Sequence, residues 1–261
     1  MKNDFHVPGF PFPGGKVRQA RIICSFAPPT GHIFADVFCG LGNIFWPAPS
    51  LLNYRHWWLN DIRTSGFFTA IARIGNTVIV PNREATSSFY HFYKSQCQRL
   101  YRNAYSDEAK VLEPYLTWNG GGFFSVGART SGGGPEAIAY ARNLRGAYRI
   151  MHAVHPRVTD WDYERVLECL GPNDFAVIDA PYIGASLDTY SAGDLDHKRL
   201  IIWLKYAKFW WLLCEYRHTI YVRAFGEPFW TQEVRRFAHQ NGGRRTECMW
   251  KNYSAAEFVT S

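Results

Sequence analysis

IFADVFCGLGNIFW, residues 33–46, is the stretch on which the fold turns. Its first six residues are apolar except for Asp36, the pattern of a strand buried on both faces. The run breaks at Gly40 and Gly42, and glycines directly after a buried strand let the backbone come close to a bound nucleoside. An ordinary tight turn reads the same way. Outward from this stretch, HWWLND (56–61) is a second short strand that ends on Asp61, and GFFTAIARI (66–74) is a helix behind it. An acid at the end of the next strand is placed to bind ribose hydroxyls or, equally, to cap a helix. Strand, glycine turn, helix, strand and acid form the rhythm of a doubly wound nucleotide-binding sheet. The Gly-x-Gly spacing is not that of a dinucleotide fingerprint, which argues against NAD.

Before this stretch, the Pro- and Gly-rich segment that ends at Lys16 excludes a helix or a central strand, and residues 17–26 are expected to be helical. Beyond it the sheet resumes. A helix over 160–170 carries Tyr163, Val166, Leu167 and Leu170 on one face. FAVID (175–179) is a buried strand, and a helix over 194–207 follows. FWWLLCEY, TIYVRAF and RTECMWKN read as the last three strands. Residues 81–160 read as an insertion between the two halves of the sheet, 1–80 and 161–261. Within the insertion, helices are expected at 86–103 and 135–152, with a glycine-bracketed hairpin between them.

Composition narrows the class. In 261 residues, 47% hydrophobic and 20% charged, a packed core is expected rather than disorder. The net charge of +7 favours an anionic partner, and 17% aromatic residues supply core and stacking surfaces alike. No apolar run reaches the ~20 residues of a membrane span, and no signal-peptide pattern opens the chain. Six cysteines with no CxxC pair argue against a zinc site and a disulfide scaffold, so a cytoplasmic protein without a metal is expected.

A second strand end carries chemistry. In Asp179-Ala180-Pro181-Tyr182 a carboxylate, a pre-proline carbonyl and an aromatic ring follow a buried strand. The two oxygens can accept from an exocyclic amine while the ring stacks on a flipped base. A turn with a capping Asp is the plainer alternative.

Together these pieces resemble the Dam-type family of DNA adenine-N6 methyltransferases, which use S-adenosylmethionine. Phe12-Pro13-Gly14-Gly15-Lys16 is similar to the family's N-terminal Gly-Gly-Lys motif, and Ala35 to Gly42 to its Gly-rich cofactor loop. Leu59-Asn60-Asp61-Ile62 is similar to its Asn-Asp-Ile segment, and Asp179-Ala180-Pro181-Tyr182 to its catalytic Asp-Pro-Pro-Tyr. Asp196-His197, Thr246-Glu247 and Asn252-Tyr253 also look like family patterns, in the family's order. The resemblance implies a Rossmann-like α/β methyltransferase sheet with an inserted, mainly helical target-recognition domain. It implies that Phe12, Gly14, Gly15, Lys16, Asp36, Phe38, Gly40, Gly42, Asp61 and Asp179 line the cofactor cleft. Asp179, Ala180, Pro181 and Tyr182 would then hold the adenine. A lone surface cation remains the alternative for Lys16.

Double-stranded DNA is the implied partner, with a cognate restriction system or partner subunit compatible with the same reading. Arg129, Arg142, Arg145 and Arg149 are the candidate phosphate contacts, the last three spaced along one helix face; a solvated face is the other reading of that stripe. Two departures stand out. Ala180 replaces the family's first proline, and the usual Arg and Asn of the DNA-contacting hairpin are not recognisable in Trp118–Gly134. Ala180 leaves open a weakly active or inactive member that holds DNA or a partner, and the same chemistry on RNA is a further alternative. No Pro-Cys dipeptide, expected of enzymes that methylate cytosine carbon, occurs in the chain.

Overall fold

Alternation along the strands builds two cores from one sheet. In Phe175-Ala176-Val177-Ile178, the first and third side chains join one buried cluster and the second and fourth join the other. Trp57, Trp58 and Leu59 divide in the same way, as do Trp211 to Cys214. Side chains of successive strand residues point to opposite faces, so an unbroken apolar run demands cover on both sides.

The computed structural model describes residues 7–10, 12, 15–80, 106–117, 134–184, 195–235, 244–254 and 258. It is an α/β structure with a seven-stranded mixed sheet, compatible with a Rossmann-like fold. The strands are β1 (Thr30–Asp36), β2 (Asn53–Asn60), β3 (Arg157–Thr159), β4 (Phe175–Ile178), β5 (Trp210–Tyr216), β6 (Trp230–Arg235) and β7 (Arg244–Lys251). Their order is β3-β2-β1-β4-β5-β7-β6. The first five run parallel; β7 is antiparallel to β5 and to β6. The chain leaves β1 toward one edge and re-enters at β4, so the topological switch lies between them, where open sheets bind ligands.

One face is covered by α1 (Ala20–Phe26), α2 (Ala48–Leu51), α3 (Ser65–Ile74), α4 (Asp107–Thr117) and α5 (Gly134–Val154). The other is covered by α6 (Tyr163–Glu168), α7 (His197–Lys205) and α8 (Thr219–Phe225). α3 buries Phe67, Phe68, Ala70 and Ile71. Each of its larger side chains contributes about 1.5–3 kcal/mol by leaving water. α6 starts where the Asp162 carboxylate accepts from Glu164 N, and α7 where Asp196 accepts from Arg199 N, both N-caps. α4 and α5 place Val111, Leu112, Tyr140 and Leu144 in the same cluster as the sheet, and β3 pairs with β2. The described residues of the span 81–160 therefore supply one strand and two helices to this packing. The helix expected at 86–103 and the glycine-bracketed hairpin lie outside the described residues.

Two strand expectations differ from the structure. TIYVRAF is a helix, α8, and the strand between β5 and β7 in the chain is β6, WTQEVR. Thr219, Ile220 and Val222 favour strands locally, but the side chain of His218 accepts from Ile220 N at the start of the segment, and Gly226 ends it at φ 80°. Helical spacing puts Tyr221 and Phe225 together against Trp250 and Trp211. Tertiary burial thus overrides the local preference. β6 lies at the sheet edge with most of its residues exposed, so it shows no apolar alternation.

Candidate functional site

The carboxyl ends of β1, β2 and β4 converge on one crevice. Asp36, the last residue of β1, is 1% exposed, and neither of its carboxylate oxygens meets a hydrogen-bond donor among the described residues. Burial pushes its pKa well above the usual carboxylate range, and the charges of Asp179 and Asp61 push it further.

The glycine loop wraps past this carboxylate. Gly40 has φ 52° and Gly42 φ 73°, backbone that L side chains rarely adopt. A Cβ at Gly40 would come within 2.7 Å of the Phe12 ring, and one at Gly42 within 2.9 Å of Phe68. Asp61 accepts from Gly40 N at 3.0 Å, Arg63 N at 2.9 Å and Thr64 N at 3.1 Å. It thereby ties the glycine loop to the turn before α3. Thr64 Oγ1 adds a bond to Gly40 O. Asn60 joins three strand ends: its amide donates to Val37 O and Trp161 O, and its oxygen accepts from Thr159 Oγ1 and Trp161 N. The Phe38 ring sits 5.5 Å from that of Tyr163.

The N-terminal segment closes the crevice from the front. Asn43 pairs with both polar groups of the Phe10 backbone, accepting at 3.0 Å and donating at 2.9 Å. Gly15 packs so tightly that a Cβ there would lie 2.7 Å from Asn43 Nδ2. This delivers Lys16, only 5% exposed, to the end of β4. Its Nζ lies 3.0 Å from Asp179 Oδ1 and 4.6 Å from the centroid of the Tyr182 ring. Burial opposes the Lys16 ammonium, but the Asp179 and Glu247 carboxylates more than offset it and hold the group protonated. For Asp179 burial is the larger effect and raises its pKa, with Lys16 pulling it back down. Lys16 is thus an internal ion-pair partner rather than a surface cation.

Ala180 is buried, and its side chain belongs to the cluster under α6, α7 and α8. Asp179, Ala180, Pro181 and Tyr182 follow directly on β4, with Ala180 facing away from Lys16. Gly14 and Arg129 lie outside the described residues. Arg142, Arg145 and Arg149 are all exposed on α5, whose Leu144, Ala147 and Met151 face inward, so the stripe stands away from the crevice floor.

The sequence reading passed over Glu215 and Arg245. Glu215 is 1% exposed near the end of β5, and its signal is a carboxylate inside the otherwise apolar WWLLCEY. Arg245 on β7 lies over the Tyr216 ring, with Cζ 4.7 Å from the centroid. The described residues contain no group of three or more His, Cys, Asp or Glu side chains able to hold a metal ion, and no helix long and apolar enough to cross a membrane.

No protein-family model matches the sequence, and a search of curated proteins gave no match.

Proposed function

We propose that the chain is an S-adenosylmethionine-dependent methyltransferase that acts on the exocyclic N6 amine of a flipped adenine in duplex DNA. The observation that carries this reading is a nitrogen already held at the end of β4. Lys16 Nζ rests 3.0 Å from Asp179 and over the face of Tyr182. A base amine entering the same space meets the same acceptor and the same ring.

The crevice also fits the cofactor. Asp36 offers a buried carboxylate with no hydrogen-bond partner among the described residues, and the carboxyl groups of Asp61 and Asp179 lie nearby. Gly40 and Gly42 keep side chains out of the loop beside it. A ligand with hydrogen-bond donors and positive charge suits this setting, and S-adenosylmethionine, held by Asp36 and the glycine loop, supplies an electrophilic methyl group. Asp179 and the Ala180 carbonyl accept from the target amine and draw its lone pair out of conjugation with the ring. Tyr182 stacks on the base and fixes its plane. Methylation of a neutral amine releases one proton, and Asp179, raised by burial, is placed to take it. Positioning and electrostatics do most of the catalysis, without a covalent intermediate on the protein.

Ala180 motivates the rival reading of an inactive DNA- or partner-binding member. Its methyl is directed into the core, so only its backbone faces the chemistry, and a carbonyl accepts equally well from alanine or proline. The test is incubation with methyl-labelled S-adenosylmethionine and unmodified duplex DNA, with RNA as a parallel arm, followed by nucleoside analysis. N6-methyladenine in DNA is the expected product, lost in Asp179→Ala. 5-Methylcytosine, label in RNA alone, or no labelled base would overturn the proposal.

A further inference from the structure

Beyond Ile178 the strand ladder ends, yet Tyr182 must keep its ring in place. Both backbone polar groups of Ile183, the residue after Tyr182, are gripped by side chains. Ile183 N donates to Glu215 Oε2 at 3.1 Å, and Ile183 O accepts from Arg245 Nη1 at 3.5 Å. The other Glu215 oxygen accepts from Tyr216 N at 2.7 Å, so the carboxyl is fixed at both ends. The Tyr182 ring meets the Tyr216 ring edge to face, with centroids 4.6 Å apart at 79°. Arg245 covers Tyr216 on one side of this pair, and Lys16 covers Tyr182 on the other. Behind Glu215, His197 Nδ1 stands 3.8 Å from Oε2 and is hydrogen-bonded to the Tyr221 hydroxyl at 2.7 Å.

We infer that Glu215 and Arg245 are positioning residues, a two-point clamp on the backbone of Ile183, one contact on each of its two peptides, that holds Tyr182 in register with Asp179. The inference rests on the proposed reaction for its catalytic consequence but not for its geometry. An apolar residue in place of Glu215 would continue the hydrophobic pattern of β5 without burying a carboxyl group. The carboxyl instead reaches the Ile183 amide, in a peptide beyond the end of the strand ladder. Asp179 precedes that peptide by four residues, so a loosened Ile183 tilts the ring and leaves the acceptor in place.

The test uses the intact chain, labelled for NMR, with Glu215→Leu, Glu215→Gln and Arg245→Met. Glu215→Leu should speed amide exchange at Ile183 by about tenfold or more and move the Tyr182 ring resonances out of the Tyr216 ring current. In the methylation assay its kcat should fall by about tenfold or more, with KM for S-adenosylmethionine changed by less than about threefold. Glu215→Gln keeps an acceptor for Ile183 N and should recover most of both losses. Arg245→Met, on a half-buried position, should shift the same tyrosine resonances and provides the decision if Glu215→Leu does not fold. Unchanged Ile183 exchange in folded Glu215→Leu overturns the clamp, as do unchanged tyrosine resonances in Arg245→Met. Lost protection with full kcat overturns the positioning role. A wild-type protein that transfers no methyl group overturns the reaction, while exchange and ring shifts still decide the clamp.

Discussion

Asp36 combines burial with two carboxylate oxygens that meet no donor among the described residues, a combination that costs stability unless a ligand meets it. Its raised pKa means that the folded chain keeps a proton the unfolded chain has released, so stability should fall as pH rises from the ordinary carboxylate value toward the folded one. Asp36→Asn should flatten that fall and raise the melting temperature at pH ~8, while weakening S-adenosylmethionine binding by about tenfold or more in calorimetry. Glu215 follows the same sign in a defined window. Burial lifts it from 4.5 to about 8 against the two backbone bonds it accepts, with Asp179 raising and Lys16 lowering it. His197 and Tyr221 face it from α7 and α8. Between these values the native state should lose about 1.4 kcal/mol per pH unit relative to Glu215→Gln, read from denaturant melts of both proteins at several pH values. Asp36, Asp179 and Tyr182 were legible in the sequence because each lies at or just beyond the end of an apolar strand. Asp61 allowed two uses from the sequence, and the structure gives three of its acceptor sites to backbone N–H groups. Glu215 was not legible, because its role depends on β5 lying beside β4, a neighbourhood that no local pattern states.

At the scale of elements, the sequence carries the inner strands and the helices that cover them. β1, β2, β4 and β5 each hold an apolar run, β7 only the short Cys248-Met249-Trp250, and α3, α6 and α7 have stripes of helical period. The edges are quieter. β3 has three residues and β6 is mostly exposed, so their pairing depends on backbone bonds to a neighbour already in place. α8 was misread because β-branched residues favour a strand locally, whereas Tyr221 and Phe225 are drawn onto the tryptophans of the far face. Gly226 ends this helix at φ 80° and ψ −166°, with open space where a Cβ would stand. Gly226→Ala should therefore cost about 1–3 kcal/mol through the backbone alone. Chemical denaturation would measure it, and a loss of under ~0.5 kcal/mol would show that the turn relaxes.

Over the whole molecule, charge and topology act together. The net charge is +7, and Arg142, Arg145 and Arg149 form an exposed basic stripe on α5, the surface that the proposed function assigns to DNA. Binding to duplex DNA should weaken steeply with salt, and Arg145→Ala with Arg149→Ala should lower the log–log slope by about one to two. An unchanged slope would return the stripe to an ordinary solvated surface. The switch between β1 and β4 has a consequence for heredity. Asp36 belongs to the half of the chain before α4 and Asp179 to the half after it, although their strands are neighbours in the sheet. A gene interrupted between the codons for α3 and α4 yields two polypeptides, each with one of the two carboxylates. Methylation should then appear only when both are made in the same cell. Two full-length copies, one mutated at each aspartate, should fail to complement unless they exchange halves.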